Sequence, residues 1–378
     1  MAIVGARCAG AATAMLLARR GYRVLLLDRA RFPQDTLSTL FIHMRGVALL
    51  ERWGVREAVL GTGCPQLTEM SFAAPGVRIE GPVTPQGTVN AVCAPRRYAL
   101  DAVLAEAAVR AGAEFRQRVS VNGLCLEDGV VTAVRHTVRN GRGEVVERAR
   151  LVIGADGRHS TVARLAGAPY ERRDGKLTRA RYTYWSGIAG EAVRLFVAPG
   201  AGAAALPTQD GLTLVNVQDP VGTPGGARED RQRGYLRLLE RASPELRQLV
   251  AGGRQEERLY SCSDLPNFFR RPWGPGWVLV GDAAYHKDPI GAQGIADAFE
   301  QAALLDDCLA DGIADAERTR AGLRAYAAEL VRRFTGPYEE NLRYARLRMS
   351  EQELCWLREH QGDPAFRSAF LRSLSGAE

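Results

Sequence analysis

The chain's 378 residues are enough for two or three domains with a full core, and 46% hydrophobic and 25% charged residues are ordinary for a globular protein. Its net charge of +7 is carried almost entirely by scattered arginines, which argues against a nucleic-acid partner and for a basic surface suited to anionic ligands. Seven cysteines with no C-x-x-C pair or His/Cys cluster argue against a metal site, no apolar run reaches membrane-spanning length, and no charged leader precedes the first strand, so a reduced, cytoplasmic protein is expected.

Met1 to Asp28 reads as one βαβ unit: an apolar strand to Val4, a turn from Gly5 to Gly10, an alanine-rich helix to Arg20, and a strand ending on Asp28. Gly5 suits the tight turn, and Gly10, Ala14 and Ala18 let the helix lie close to the sheet. The helix N-terminus offers N–H groups to a pyrophosphate, and Asp28 can accept from a ribose diol. Arg7 stands where the fingerprint usually has its middle glycine, and could donate to phosphate instead. An ordinary βα turn is the alternative.

The loop from Arg29 to Thr39, with Ser38, can reach the phosphates or sugar of a dinucleotide; taken by itself it reads as a solvated connection. A helix follows from His43 to Trp53. Met70 to Ala73, Val77 to Ile79 and Val89 to Val92 are strand-like. The stretch Pro95 to Asp101 opens a helix that runs to Gly112; Phe115 to Val121 reads as one strand, and Gly129 to His136 pairs with Val145 to Ala149 across Asn140-Gly141. Leu151 to Ile153 is a buried strand, turning at Asp156-Gly157 toward Ser160 and Arg164; a helix cap and a ligand contact are equally good readings of that turn. Pro169 to Ser261 is β-rich, with Asp230 to Gly252 helical, and Tyr182, Tyr184 and Trp185 read either as an aromatic pocket or as sheet core.

Leu265 to Pro275 reads as a linker. Trp277 to Val280 is a buried strand that leads through Gly281-Asp282 and a Pro/Gly-rich loop to a helix beginning near Gln293, Gly294 and Ile295, whose N–H groups can stabilise negative charge. Asp315 to Phe334 is amphipathic and is expected to break at Gly336-Pro337, with a helical tail through Trp356.

Three separated stretches together resemble the FAD-dependent monooxygenases of the aromatic hydroxylase class, in pattern from Met1 to about residue 310. The N-terminal turn with Asp28 resembles the family's ADP-binding fingerprint, Asp156-Gly157 its Asp-Gly motif, and Gly281-Asp282 with Pro289, Gly291 and Gly294 its Gly-Asp motif. Tyr285 stands where histidine is usual, with His286 displaced by one, and Ala296 where asparagine is usual.

The resemblance implies an α/β fold: a Rossmann-like, glutathione-reductase-like FAD-binding domain (1–66, 93–168, 262–312), an inserted β-rich substrate domain (67–92, 169–261) and C-terminal helices (313–378). It implies that Gly5, Arg7, Gly10, Asp28, Arg29, Ser38, Arg45, Arg97, Asp156, Gly157, Gly281 and Asp282 bind FAD. Pro289, Gly291, Gln293, Gly294 and Ile295 would lie beside its ring. NAD(P)H would act as a transient reductant, and a flavin C4a-hydroperoxide would pass one oxygen atom from O2 to an organic, aromatic or polyketide-like substrate.

His286 and Arg45 are the candidates for handling protons, though a structural role suits each equally, as it does His43. A monomer or homodimer is expected, with no metal. A prenyl-reductase type of enzyme and a flavin protein without turnover remain the alternatives; a halogenase is disfavoured because W-x-W-x-I-P is absent. Asp282→Ala is expected to lose FAD far more than Asp101→Ala.

Overall fold

The computed structural model describes residues 1–138, 143–188, 190–223, 231–310 and 312–377. Its centre is a six-stranded sheet in the spatial order 273–274, 277–279, 152–154, 2–4, 25–28, 114–117. All neighbours are parallel except the 273–274 edge. Ile3, Leu26, Ile153 and Val278 are fully buried, as expected where a parallel sheet is covered on both faces. Helix Cys8–Arg19 packs against helices Arg97–Arg110 and Gly294–Cys308. Its buried Ala9, Ala11, Ala12 and Ala14 present so little bulk that three helices can meet there.

A larger sheet runs 254–255, 178–186, 213–220, 201–207, 193–198, 69–74, 77–82, with Tyr260–Cys262 also pairing to Thr178–Ser186. Val193–Ala198 lies parallel to Glu69–Ala74, with Leu195 opposite Phe72, so main-chain bonds join two segments far apart in sequence. Side chains alternate across the pleat. Tyr182, Tyr184, Leu206 and Leu214 join the main core, whereas Trp185, Phe196, Val215 and Val217 form a second core with helices Arg231–Ala242 and Pro244–Gly252. Trp185 therefore cannot line one pocket with Tyr182 and Tyr184; its indole N–H donates to Tyr235 Oη at 3.3 Å on the far side.

The α/β architecture with a parallel sheet, further β-rich sheets and C-terminal helices is as expected. Several local expectations are not. Phe115 to Val121 is two strands: Arg118 adopts φ 58° and turns the chain, so Glu114–Gln117 joins the parallel sheet while Val119–Glu127 pairs with Val130–Val138. The hairpin turn Asn140-Gly141 lies outside the described residues, as does Asp230. Val89 to Val92 makes only isolated bridges, at Val89 and Val92. Leu265 to Pro275 is not a linker: Pro266–Arg270 is the middle strand between Tyr170–Lys176 and Tyr285–His286, and Trp273–Gly274 is the sheet edge.

Helix Ala316–Tyr344 runs through Gly336-Pro337 rather than ending there. A helix-interior proline costs about 3 kcal/mol, which burial on both sides of it offsets. Phe334 and Tyr338 pack around Tyr285, the Tyr338 hydroxyl donates to Asp174 at 2.8 Å, and Asn341 Nδ2 donates to the Asp288 carbonyl at 2.9 Å. The tail is two further helices, Glu351–His360 and Pro364–Ser375, and both contact strand Val77–Pro82.

Candidate functional site

The first turn leaves the parallel sheet at its carboxyl edge. Gly5 has φ +99°, and a Cβ there would lie 2.4 Å from the Ala155 carbonyl oxygen; one at Gly10 would lie 1.7 Å from Gly5 O. Helix and strand can approach only with glycine at both positions. Helix Cys8–Arg19 has no side-chain cap and no acidic residue in its first turn, which leaves its N–H groups to an anion. Asp28 is buried and closes this turn, one oxygen accepting from Ala6 N–H and the other from Ala30 N–H, each at 2.7 Å. Arg29 is exposed. Ser38 ties its loop to the large sheet, its N–H donating to Tyr182 Oη at 3.3 Å.

Beside the turn lies a buried ion cluster that spacing alone did not reveal. The Asp101 side chain, 0% exposed, accepts from Arg7 at 2.6 Å and from Arg97 at 2.9 Å. Burial opposes the Arg97 charge, but Asp101 outweighs it and, with help from Asp282, lifts its pKa above the ordinary value. Burial, reinforced by Asp101, pushes the Cys8 thiol up to about 12, so it stays a neutral filler. Asp101 is thus no inert comparator for Asp282.

Asp156 serves a helix start. Its oxygens accept from Ser160 Oγ at 2.5 Å and from the Thr161 and Val162 N–H groups at 2.6 and 3.2 Å. Ser160 in turn caps Ala163, and burial of Asp156 raises its pKa despite these donors. Gly157, at φ +82°, has nothing within 4 Å of where a Cβ would sit. Gly281, at φ +65°, brings the second turn against the first: a Cβ there would lie 2.7 Å from Ala9 Cβ. Asp282, half-buried on that turn, makes no side-chain hydrogen bond among the described residues.

The loop beyond is held from behind. Pro289–Gly291 is one turn of 3-10 helix with Ala292 left-handed, and helix Gly294–Cys308 starts without a side-chain cap. Arg45 meets Asp297 at 2.6 Å and Glu300 at 2.8 Å. Lys287 meets Asp297 at 3.0 Å and also donates to Gln293 Oε1. Burial pulls the Lys287 pKa below its ordinary value against the pull of Asp297. His43 Nε2 lies 2.9 Å from the Gly291 carbonyl oxygen. His286 pairs its Nδ1 with the Pro266 carbonyl and stacks on Phe268, with ring centroids 5.8 Å apart. Lys287, Asp297 and Glu300 carried no sequence signal beyond their place after the Gly-Asp turn. Among the described residues no His, Cys, Asp and Glu grouping could hold a metal, and no helix is long and apolar enough to cross a membrane.

Two uncapped helix starts, the arginines at 7 and 97, the unpaired Asp282 carboxylate and open space at Gly157 and Gly294 fit a pyrophosphate-bearing cofactor. Residues 1–335 match the FAD binding domain family. The chain belongs to this family. As a flavoprotein of this family it is an FAD-dependent oxidoreductase of the monooxygenase class, with FAD as its cofactor. The flavoprotein is 30% identical over 338 residues to 6-methylpretetramide 4-monooxygenase of Streptomyces rimosus, covering 86% of this chain and 78% of that one. It is 28% identical over 348 residues to kynurenine 3-monooxygenase of Salinispora arenicola, covering 86% and 75%. In fold it is similar to the flavin-dependent brominase Bmp2, with TM-score 0.85, 17% identity and coverage of 99% and 92%.

Proposed function

We propose that this flavoprotein uses NAD(P)H and O2 to hydroxylate an aromatic or polyketide-like substrate. The reading rests chiefly on the uncapped start of helix Gly294–Cys308 beside the Pro289–Gly291 turn, held by the Lys287–Asp297–Arg45 network. Asp297 and Glu300 balance the two cations, so the network fixes geometry while the Gly294 and Ile295 N–H groups supply the field. Bound FAD supplies the electron transfer and oxygen activation. Gly5, Arg7, Gly10 and Asp28 would form the cradle for its ADP half, with Arg97, Asp156 and Gly157 at the edge of that cradle. Asp282 would accept from its sugar-like chain, and Pro289 to Ile295 would border its ring. Arg45 and His286 are assigned positioning roles, Arg45 through Asp297 and His286 through the Pro266 carbonyl. The main-core face of the large sheet is assigned to substrate. The Streptomyces rimosus relative is named for the oxygenation of 6-methylpretetramide, which supports an organic substrate handled in the same way.

Labelled oxygen tests the reaction. With NADPH, ¹⁸O2 and a panel of phenols and tetracyclic polyketides, product carrying one labelled oxygen atom is expected. Saturation of a double bond without label, or flavin that NAD(P)H fails to bleach, overturns the reading. Asp282→Ala tests the site: flavin affinity is expected to fall about tenfold or more, the size of a lost hydrogen bond to a charged group. Unfolding of the apoprotein should hardly change, because Asp282 holds no donor among the described residues. Flavin absorbance per protein after gel filtration reads the first, and urea unfolding the second.

A further inference from the structure

The main-core face of the large sheet carries a row of polar side chains that the chemistry above leaves unused. At one end, buried Asp288 accepts from Thr178 N–H at 3.1 Å, from the Thr178 hydroxyl at 2.8 Å and from Ile290 N–H at 3.1 Å. Thr178 Oγ1 accepts from Gln218 Nε2 at 3.4 Å, and Gln218 Oε1 accepts from Asn216 Nδ2 at 3.5 Å, both at the long end of the hydrogen-bonding range. An ionised carboxylate can only accept. The one Thr178 hydroxyl proton therefore points at Asp288, and each later link must donate in the same direction. That fixes the amide orientations, so the free end of the row, Asn216 Oδ1, is an acceptor.

This oxygen is buried, has no partner among the described residues, and belongs to a side chain whose residue is only 4% exposed. Buried polar atoms are nearly always paired, so an orphan needs an explanation. Its surroundings supply one. Asn216 sits between Tyr182 and Ala204 on the neighbouring strands. One row along, a Cβ at Gly202 would lie 3.5 Å from Ile290 Cδ1, inside the Pro289–Gly291 turn. The orphan acceptor thus lies on an apolar and aromatic face, beside the turn assigned to the flavin ring.

We propose that Asn216 Oδ1 receives a phenolic O–H of the substrate and so selects a hydroxylated ring over its ether. This rests on the proposed function, which assigns that face to substrate. Among the described residues Asn216 makes no side-chain hydrogen bond to the cofactor cradle or to the Lys287–Asp297–Arg45 network.

The test uses the FAD-loaded full chain with 1-naphthol and 1-methoxynaphthalene as probes, their binding read from the change in bound-flavin absorbance. Wild type is expected to hold the naphthol about tenfold more tightly, as one donor to a buried acceptor would give. In Asn216→Leu the preference is expected to fall to about onefold while flavin occupancy stays at the wild-type level. Equal affinities in wild type, including no binding of either probe, overturn the proposal without recourse to a variant. So does an Asn216→Leu protein that keeps the preference or loses its flavin. Should that protein not fold, Asn216→Ser is read by the same criteria. The labelled-oxygen experiment is independent of this one: label in the product with no hydroxyl preference removes the role of Asn216 alone, and a preference without label removes the monooxygenase reading alone.

Discussion

Asp101→Ala is expected to cost about 3–5 kcal/mol of stability and to empty the flavin site together, the size seen when one partner of a buried ion pair is removed. The carboxylate has no exposed surface and faces two guanidinium groups, one from the first turn and one from helix Arg97–Arg110. Without it Arg97, only 11% exposed, loses the salt-bridge partner it has among the described residues, and Arg7 loses its anchor at the mouth of the turn. Asp101→Asn keeps the shape and an acceptor oxygen but not the charge, so an intermediate loss is expected. Asp306→Ala makes a proper control: its partner Arg20 is 33% exposed, and such a pair contributes about 1 kcal/mol or less. Urea unfolding and flavin occupancy measure both effects. A loss below about 1 kcal/mol for Asp101→Ala would show the cluster to be solvated rather than structural.

The first βαβ unit was legible because its signals fall within 28 residues: buried runs, a turn needing glycine at 5 and 10, and a carboxylate at the end of the second strand. Arg97 and Asp101 were visibly one helical turn apart, but spacing does not say that this face is buried against Arg7, which lies 94 residues away from Asp101. The pairing of Arg45 with Asp297, 252 residues apart, was hidden for the same reason. Arg118 escaped because a single left-handed residue leaves the apolar alternation on either side intact. Proline 337 misled in the other direction: local propensity argues for a break, and the packing of Phe334 and Tyr338 overrides it. Asp156 was undecidable from sequence, since a cap and a ligand contact use the same residues; the structure shows the cap.

His43 gives the second large effect, one of pH. It is buried, meets Phe41 edge-on at 4.8 Å and lies against the Gly291 carbonyl. Burial first, and then the nearby Arg45 and Lys287 cations, depress its pKa from the ordinary 6.5 to about 4; the Gly291 carbonyl and Asp297 pull the other way without prevailing. The unfolded chain therefore binds a proton that the folded chain refuses between these two values, and stability must fall as pH drops from 6.5 toward 4. At about 1.4 kcal/mol per pH unit, the depression corresponds to a loss of about 3 kcal/mol by the lower end. Burial raises the pKa values of Asp156 and Asp288, which works in the opposite sense. The effect of His43 is isolated by comparison with His43→Gln, which keeps a donor for Gly291 O but cannot take up the proton. Urea unfolding at steps from pH 7 to pH 4.5 should show wild type losing stability faster than the variant. Parallel curves would mean that His43 is protonated in the native protein. Its ring would then be pressing a cation against Arg45 and Lys287, which a buried site with Asp297 and Glu300 already committed cannot balance.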